Sequence, residues 1–205
     1  MDRAVESHHY PPWTSKIGPA PGDLRIVQAF VNTRDVDLNR DELETTDGLV
    51  SWLRTWRLLG RGSTVHPTDR SLAVDLREGL RELLLANNGD RGAASRLEGL
   101  DRGLARLSLR CALDPHGRFD LVAVSDGWPR AGARILTITI RAMAAGVWAR
   151  LKACRRDECQ WAFFDSSKNR SATWCSMAGC GDLMKARAYR QRLRSRTRKG
   201  RAKRA

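Results

Sequence analysis

Four thiols crowd one short stretch of the chain. Four residues lie between Cys154 and Cys159 and four between Cys175 and Cys180, and fifteen residues separate the two pairs. Two close pairs joined by a loop can bring four thiolates to one point. Zn²⁺ accepts four sulfurs tetrahedrally and has no geometric preference of its own. Four protein ligands leave no position for water, so an ion held by Cys154, Cys159, Cys175 and Cys180 would be structural, not catalytic. Two disulfides and four unrelated thiols are the competing readings. A reducing compartment argues against the first. The fall of four of the five cysteines within 27 residues argues against the second.

The residues around the cluster fit a small metal-dependent unit. Trp161, Phe163, Phe164 and Trp174 flank the cysteine pairs. So short a segment buries little surface alone, so these rings are expected to pack as its core more than to stack on bases. Lys168, Asn169 and Arg170 lie in the loop between the pairs, placed for phosphate contact or simply solvated. After Cys180 the sequence is rich in helix formers, and Asp182 can cap a helix carrying Lys185, Arg187, Arg190, Arg192 and Arg194. Such a helix suits a DNA groove or backbone.

The charge distribution points the same way. The chain carries 37 basic and 23 acidic residues, a net charge of +14. From Lys185 to Ala205 there are eleven basic residues and no acidic one, which leaves 26 basic against 23 acidic in the rest, a net of +3. A nearly neutral body thus ends in a polycation that suits DNA or RNA, with an anionic membrane face as a weaker option. The bland reading is a solubility tail. Self-repulsion is expected to keep the chain from folding alone past about Arg194.

The elements that must position this cluster read as mainly helical. Residues 1–21 are polar and proline-rich and are expected to be a flexible arm. Asp23 to Asp35 predicts a helix with Leu24, Val27, Phe30 and Val31 on one face. A second helix, capped by Thr46 or Asp47 and ended by Gly60, would bury Leu49, Trp52, Leu53, Trp56 and Leu59. A third spans about Thr68 to Ala86, burying Leu72, Leu76, Leu80, Leu83 and Leu84, and a fourth about Arg91 to Ala105. The period then becomes two: Leu107, Leu109, Cys111 and Leu113 alternate, Asp114 to Gly117 turns, and Phe119, Leu121 and Ala123 alternate, a β-hairpin. Residues 130–151 look like strand locally but keep a helical stripe at Leu136, Ile140, Met143, Val147 and Leu151, which predicts one long helix. The expected fold class is mainly α with a β-hairpin: a helical N-terminal domain (22–151), a four-cysteine zinc finger with a basic helix (152–195) and a disordered basic tail (196–205).

The run from Cys154 to Gly181 resembles the CGNR zinc finger. Its C-x4-C pair, the F-x-D-x-S of Phe163, Asp165 and Ser167, and the W-C-S-M of Trp174, Cys175, Ser176 and Met177 all match. The chain departs from that pattern in two places. Asp182-Leu183 replaces the Asn-Arg that follows Cys-Gly, and Thr173 replaces a basic residue. The family is usually joined to an N-terminal ABATE domain, to which Phe30-Val31-Asn32-Thr33 and Gly48 to Leu53 are similar. The resemblance implies a bacterial transcription regulator whose finger binds DNA. The departures remove one arginine that could touch DNA and place a carboxylate beside the site.

Several classes are disfavoured. No run of eighteen apolar residues is present to form a membrane span. The opening residues lack the apolar stretch of a signal peptide, so a cytoplasmic protein is expected. No nucleophile elbow, phosphate-cradling glycine loop or H-E-x-x-H motif occurs, so the chain is read as no enzyme, with no catalytic residues. His8, His9, His66 and His116 have no partner at metal or triad spacing. Asn32 could contact an effector but is expected to satisfy buried backbone groups. Trp52 and Trp56 could line a pocket, with core packing the default, and Cys111 is expected to be buried. An RNA-binding role, a protein-interaction role and a symmetric homodimer stay open.

Overall fold

Helix α1 (Leu24–Val31) forms where the apolar stripe recurs, and it buries Leu24, Val27, Phe30 and Val31. The structure, a computed structural model, describes residues 17–90, 97–104, 107–113, 115–117, 119–124 and 126–202. The expected arm before residue 17, the start of the fourth predicted helix at Arg91 and the last three residues lie outside these. A two-residue strand pair, β2 (Arg34–Asp35) and β3 (Arg40–Asp41), follows α1. Helix α2 (Thr46–Thr55) is capped by Thr45, whose hydroxyl accepts the Gly48 N–H at 3.0 Å. It stops before Gly60. Arg57 takes the left-handed conformation at φ 54°, and Leu58 N–H reaches the Leu53 carbonyl at 2.9 Å, which closes the helix.

Helix α3 (Pro67–Asn87) starts at a proline and fills the centre of the core with Leu76, Leu80 and Leu84. Helix α4 (Glu98–Leu104) lies close on it. A Cβ added at Gly79 would sit 2.6 Å from the Leu100 Cβ, and one at Gly103 2.7 Å from the Leu76 nitrogen. Only glycine allows this approach. Phe30 packs against Trp52 at 5.3 Å and against Trp128 at 6.1 Å, and Trp52 stacks near Trp56 at 5.9 Å. The two tryptophans of α2 are therefore packing residues.

Strands β4 (Leu109–Leu113) and β5 (Phe119–Ala123) form the expected antiparallel hairpin. Cys111 is a correction: it is exposed, not buried. Alternation places it on one face with Leu113 and Phe119, which are 63% and 85% exposed. The opposite face carries Asp120, which pairs with Arg141 of helix α5 (Gly127–Ala144). That helix is also shorter than expected. Gly146 at φ 68° ends it, and the stripe residue Leu151 belongs to a strand instead.

That strand, β6 (Leu151–Ala153), pairs with β7 (Ala162–Asp165). The latter pairs in turn with β1 (Ile17–Gly18), drawn from the expected arm. The order in this antiparallel sheet is β1-β7-β6. Its two faces serve two cores. Leu151, Ala153, Ala162 and Phe164 join the helical body, while Phe163 joins the four clustered cysteines. The period of two divides the residues.

Buried polar groups stitch the sheet to the helices. The Asn32 side chain accepts the Ala162 N–H at 2.7 Å and donates to the Ala162 carbonyl at 2.9 Å, as a neighbouring strand would. The role expected for Asn32 is the one it performs. Gln28 donates to the carbonyls of Ala162 and Gly18. Asn88 donates to the carbonyls of Ala153 and Thr173. Arg81, 2% exposed, donates to the carbonyls of Val31 and Gln160. Asn32→Ala would leave the buried Ala162 N–H without this partner and the Ala162 carbonyl with Gln28 alone, at a cost of about 1–3 kcal/mol. The expected result is a lower denaturation midpoint and faster amide exchange at residues 162–164. Unchanged exchange there would contradict this role.

Candidate metal centre

Each cysteine is delivered by a local backbone device. Strand β6 runs directly into Cys154, whose N–H bonds the Trp161 carbonyl at 3.0 Å and closes a narrow knuckle. Within it, the N–H groups of Cys159 and Gln160 both reach the Arg156 carbonyl, and Gln160 takes φ 51° to turn the chain into β7. Cys175 precedes Ser176, whose hydroxyl accepts the Gly179 N–H at 3.2 Å. A wide helical turn over Met177–Gly181 then carries Cys180 and leads straight into helix α6 (Asp182–Ala202).

All four cysteines are buried, and their sulfurs lie within 4.8 Å of one another. Cys159 and Cys175 are 3.6 Å apart and Cys175 and Cys180 3.8 Å. These spacings exclude disulfides, which need about 2.05 Å. A regular tetrahedron with about 2.3 Å metal–sulfur bonds has sulfur–sulfur edges of about 3.8 Å. The donor set, distances and burial therefore fit one structural Zn²⁺. The thiols alone are in conflict. Hydrogen bonds from the neighbouring sulfurs push the Cys180 and Cys154 thiols down, while thiol neighbours and burial push Cys159 and Cys175 up. A divalent cation satisfies all four as thiolates.

Further charges buttress the cluster. Arg156, mostly buried, directs its guanidinium at the Cys180 sulfur at 3.5 Å and pairs with Asp37 of the β2–β3 turn. Spacing alone could not have found this role, since Asp37 is far away in sequence. Below the cluster, Lys152 is only 5% exposed. Its ammonium donates to Asp165 at 2.8 Å and to the carbonyls of Arg170 and Ala172 at 2.7 and 3.0 Å. Asp165 is fully buried and also accepts the N–H groups of Ser167 and Ala172 and the Ser167 hydroxyl. The F-x-D-x-S pattern thus ties the loop before Cys175 into place.

The basic residues are placed less uniformly. Lys168 and Arg170 are exposed in the loop between the cysteine pairs. On α6, helical periodicity sets Arg187, Arg190 and Arg194 along one face, with Lys185 and Arg192 on the opposite side. All five are exposed. Arg187 pairs with Glu158 of the knuckle at 2.8 Å, and Lys185 with Asp182 at 3.5 Å. The helix continues through Ala202, past the Arg194 limit expected from repulsion, because its alanines and long straight side chains favour helix. Trp161, Phe163 and Phe164 are buried and Trp174 is partly buried, so these rings are packing groups. Among the described residues no helix is long and apolar enough to cross a membrane.

Residues 24–153 match the family model ABATE, described as "Putative stress-induced transcription regulator". Residues 150–193 match that of the CGNR zinc finger. No curated protein matches the chain.

Proposed function

The chain belongs to the ABATE family and ends in a CGNR zinc finger, and from that premise we propose that it is a non-enzymatic cytoplasmic transcription regulator that binds duplex DNA through α6. One observation carries this reading: Cys180 anchors a long, exposed, basic helix directly to a four-cysteine site. A bound zinc ion would supply the folding energy that fixes the start of that helix. The protein residues do the rest. Arg187, Arg190 and Arg194 offer a row of guanidinium groups to a phosphate backbone, joined by Lys168 and Arg170 from the loop.

Asp182 and Leu183 shape this surface. The Asp182 carboxylate sits at the first turn of α6, where a negative charge is favoured. Leu183 is 51% exposed where the family pattern has arginine. The helix start is thus stabilised while one cation is removed. Affinity then rests on the residues further along α6.

Fluorescence anisotropy with duplex DNA at several salt concentrations tests the reading. Arg187→Gln, Arg190→Gln and Arg194→Gln together are expected to flatten the dependence of log affinity on log salt. The slope should change by about 0.9 for each phosphate that is no longer neutralised, or about 2.7 in all. An unchanged slope would remove α6 from the interface. A preference for structured RNA over duplex DNA at equal salt would overturn the DNA assignment.

A further inference from the structure

A second charged feature lies away from the cysteines. Between the β4–β5 hairpin, α5 and the turn after α2 there is a cleft of about 680 Å³, within the range of small-molecule sites. Arg57, Arg110, Arg130 and Arg134 line it, and Leu58, Ala112 and Val122 give it an apolar wall. Among the described residues Asp120 is the only acid in the lining, and Arg141 already holds it. The lining thus holds four guanidinium groups and one carboxylate that is already paired.

Two of the arginines lack any partner among the described residues, while Arg130 has the Asp126 carboxylate nearby. Among the described residues, Arg57 and Arg110 make no side-chain hydrogen bond and no ion pair. Arg134 pairs with Asp23 at 2.8 Å, but both side chains are about half exposed, and such surface pairs contribute little. Arg57 adds a second signal. It occupies the left-handed position that ends α2, at φ 54°, where glycine would be unstrained. A bulky cation kept at that cost, its side chain lining a cleft, suggests use of the side chain.

We infer that this cleft binds a small organic anion, a carboxylate or phosphate ester with an apolar body. The guanidinium groups would bind the anionic head, since their paired donors match carboxylate and phosphate oxygens. Leu58, Ala112 and Val122 would cover the apolar part. The site also joins two bodies. Arg110 sits on the hairpin and Arg57 and Arg130 on the helical core, so one bound anion ties the hairpin down. An isolated two-stranded hairpin is marginal by itself, and the polar tie of this one to α5 is the Asp120–Arg141 pair, since the Thr137 hydroxyl near the Leu121 carbonyl shares its one proton with the closer Ala133 carbonyl of its own helix. Ligand binding thus becomes ordering of the hairpin.

Isothermal titration of the full-length, zinc-loaded protein with phenyl phosphate, benzoate, inorganic phosphate and neutral benzamide tests this. Phenyl phosphate or benzoate is expected to bind once per chain and to slow amide exchange at residues 109–113. Benzamide should not bind, and inorganic phosphate should bind at least tenfold more weakly than phenyl phosphate. Arg57→Gln with Arg110→Gln should weaken binding at least tenfold with the melting temperature kept. Replacing Arg187, Arg190 and Arg194 by Gln should leave it unchanged. Absence of binding by both phenyl anions at millimolar concentration would overturn the inference. So would binding that survives the cleft variant or is lost in the α6 variant, and equal affinity for inorganic phosphate would overturn the role of the apolar wall. None of these readouts depends on DNA, so the site stands or falls apart from the proposed function.

Discussion

Replacing Cys175 by Ser is expected to release the zinc and unfold the segment from Cys154 to the start of α6. Cys175 lies 3.6 Å from the Cys159 sulfur and 3.8 Å from that of Cys180, so its loss opens the tetrahedron from within. Structural zinc sites contribute about 10–16 kcal/mol in peptides at neutral pH, far more than the rest of so small a core could replace. Metal analysis should fall from one zinc per chain to none, with loss of the near-ultraviolet signal of Trp161 and Trp174. Retention of one zinc per chain would sink the four-cysteine assignment. Acid should act like the mutation. The ligands are thiolates, so protons compete with the metal, and zinc is held at neutral pH and lost as pH falls. The damage should spread, because Leu151, Ala153, Ala162 and Phe164 of the same sheet belong to the core of the helical body.

Lys152→Ala is expected to cost about 3–5 kcal/mol, the range for stripping one partner from a buried ion pair. It removes all three donors of the ammonium group and leaves Asp165 without a countercharge. The pH dependence gives the test a sign. In the native protein burial pushes the Asp165 carboxyl up, but the bonds from Lys152, Ser167 and Ala172 outweigh it and hold the group below the usual carboxylate range. A depressed value means that this contribution is complete above the unfolded value, about 3.9. It is lost as pH falls through the lower folded value. Without Lys152, burial regains weight and the Asp165 carboxyl should rise. The deficit of the variant should then shrink on acidification, as the uncompensated charge takes up a proton. Chemical denaturation across pH measures this. A deficit independent of pH would show that Lys152 acts only through packing and its two carbonyl partners.

The sequence was legible where periodicity or spacing is strong. The stripes of α1 and α3, the first part of that of α2 (Leu49, Trp52 and Leu53), the β4–β5 hairpin and the four cysteines are where the pattern puts them. It was opaque where physics acts at long range. Arg77 and Arg81 fall outside the leucine stripe of α3. Yet Arg77 is 1% exposed, with two bonds to Asp41 at 2.6 and 2.9 Å, and Arg81 reaches the knuckle. Their partners are distant in sequence, so no local pattern reveals them. Strands of two to four residues such as β1, β6 and β7 are too short to alternate convincingly, and Leu151 extended a helical stripe by coincidence. Cys111 and its alternating neighbours implied a buried face, but an alternating strand does not say whether anything covers that face. The stop at Arg57 escaped because the expected signal for a left-handed cap is glycine.

One consequence of the shared sheet concerns inheritance. Its central strand comes from the cysteine-bearing segment, one edge from residues 17–18, and its polar clamps from Gln28, Asn32, Arg81 and Asn88. A gene crossover in the short link between α5 and β6 would graft a new finger onto clamps shaped for the old one. The recombinant would meet mismatched carbonyls at Ala153, Gln160 and Ala162. A substitution at Asn32 or Asn88 is then expected to be tolerated only where the backbone of β6 and β7 changes with it.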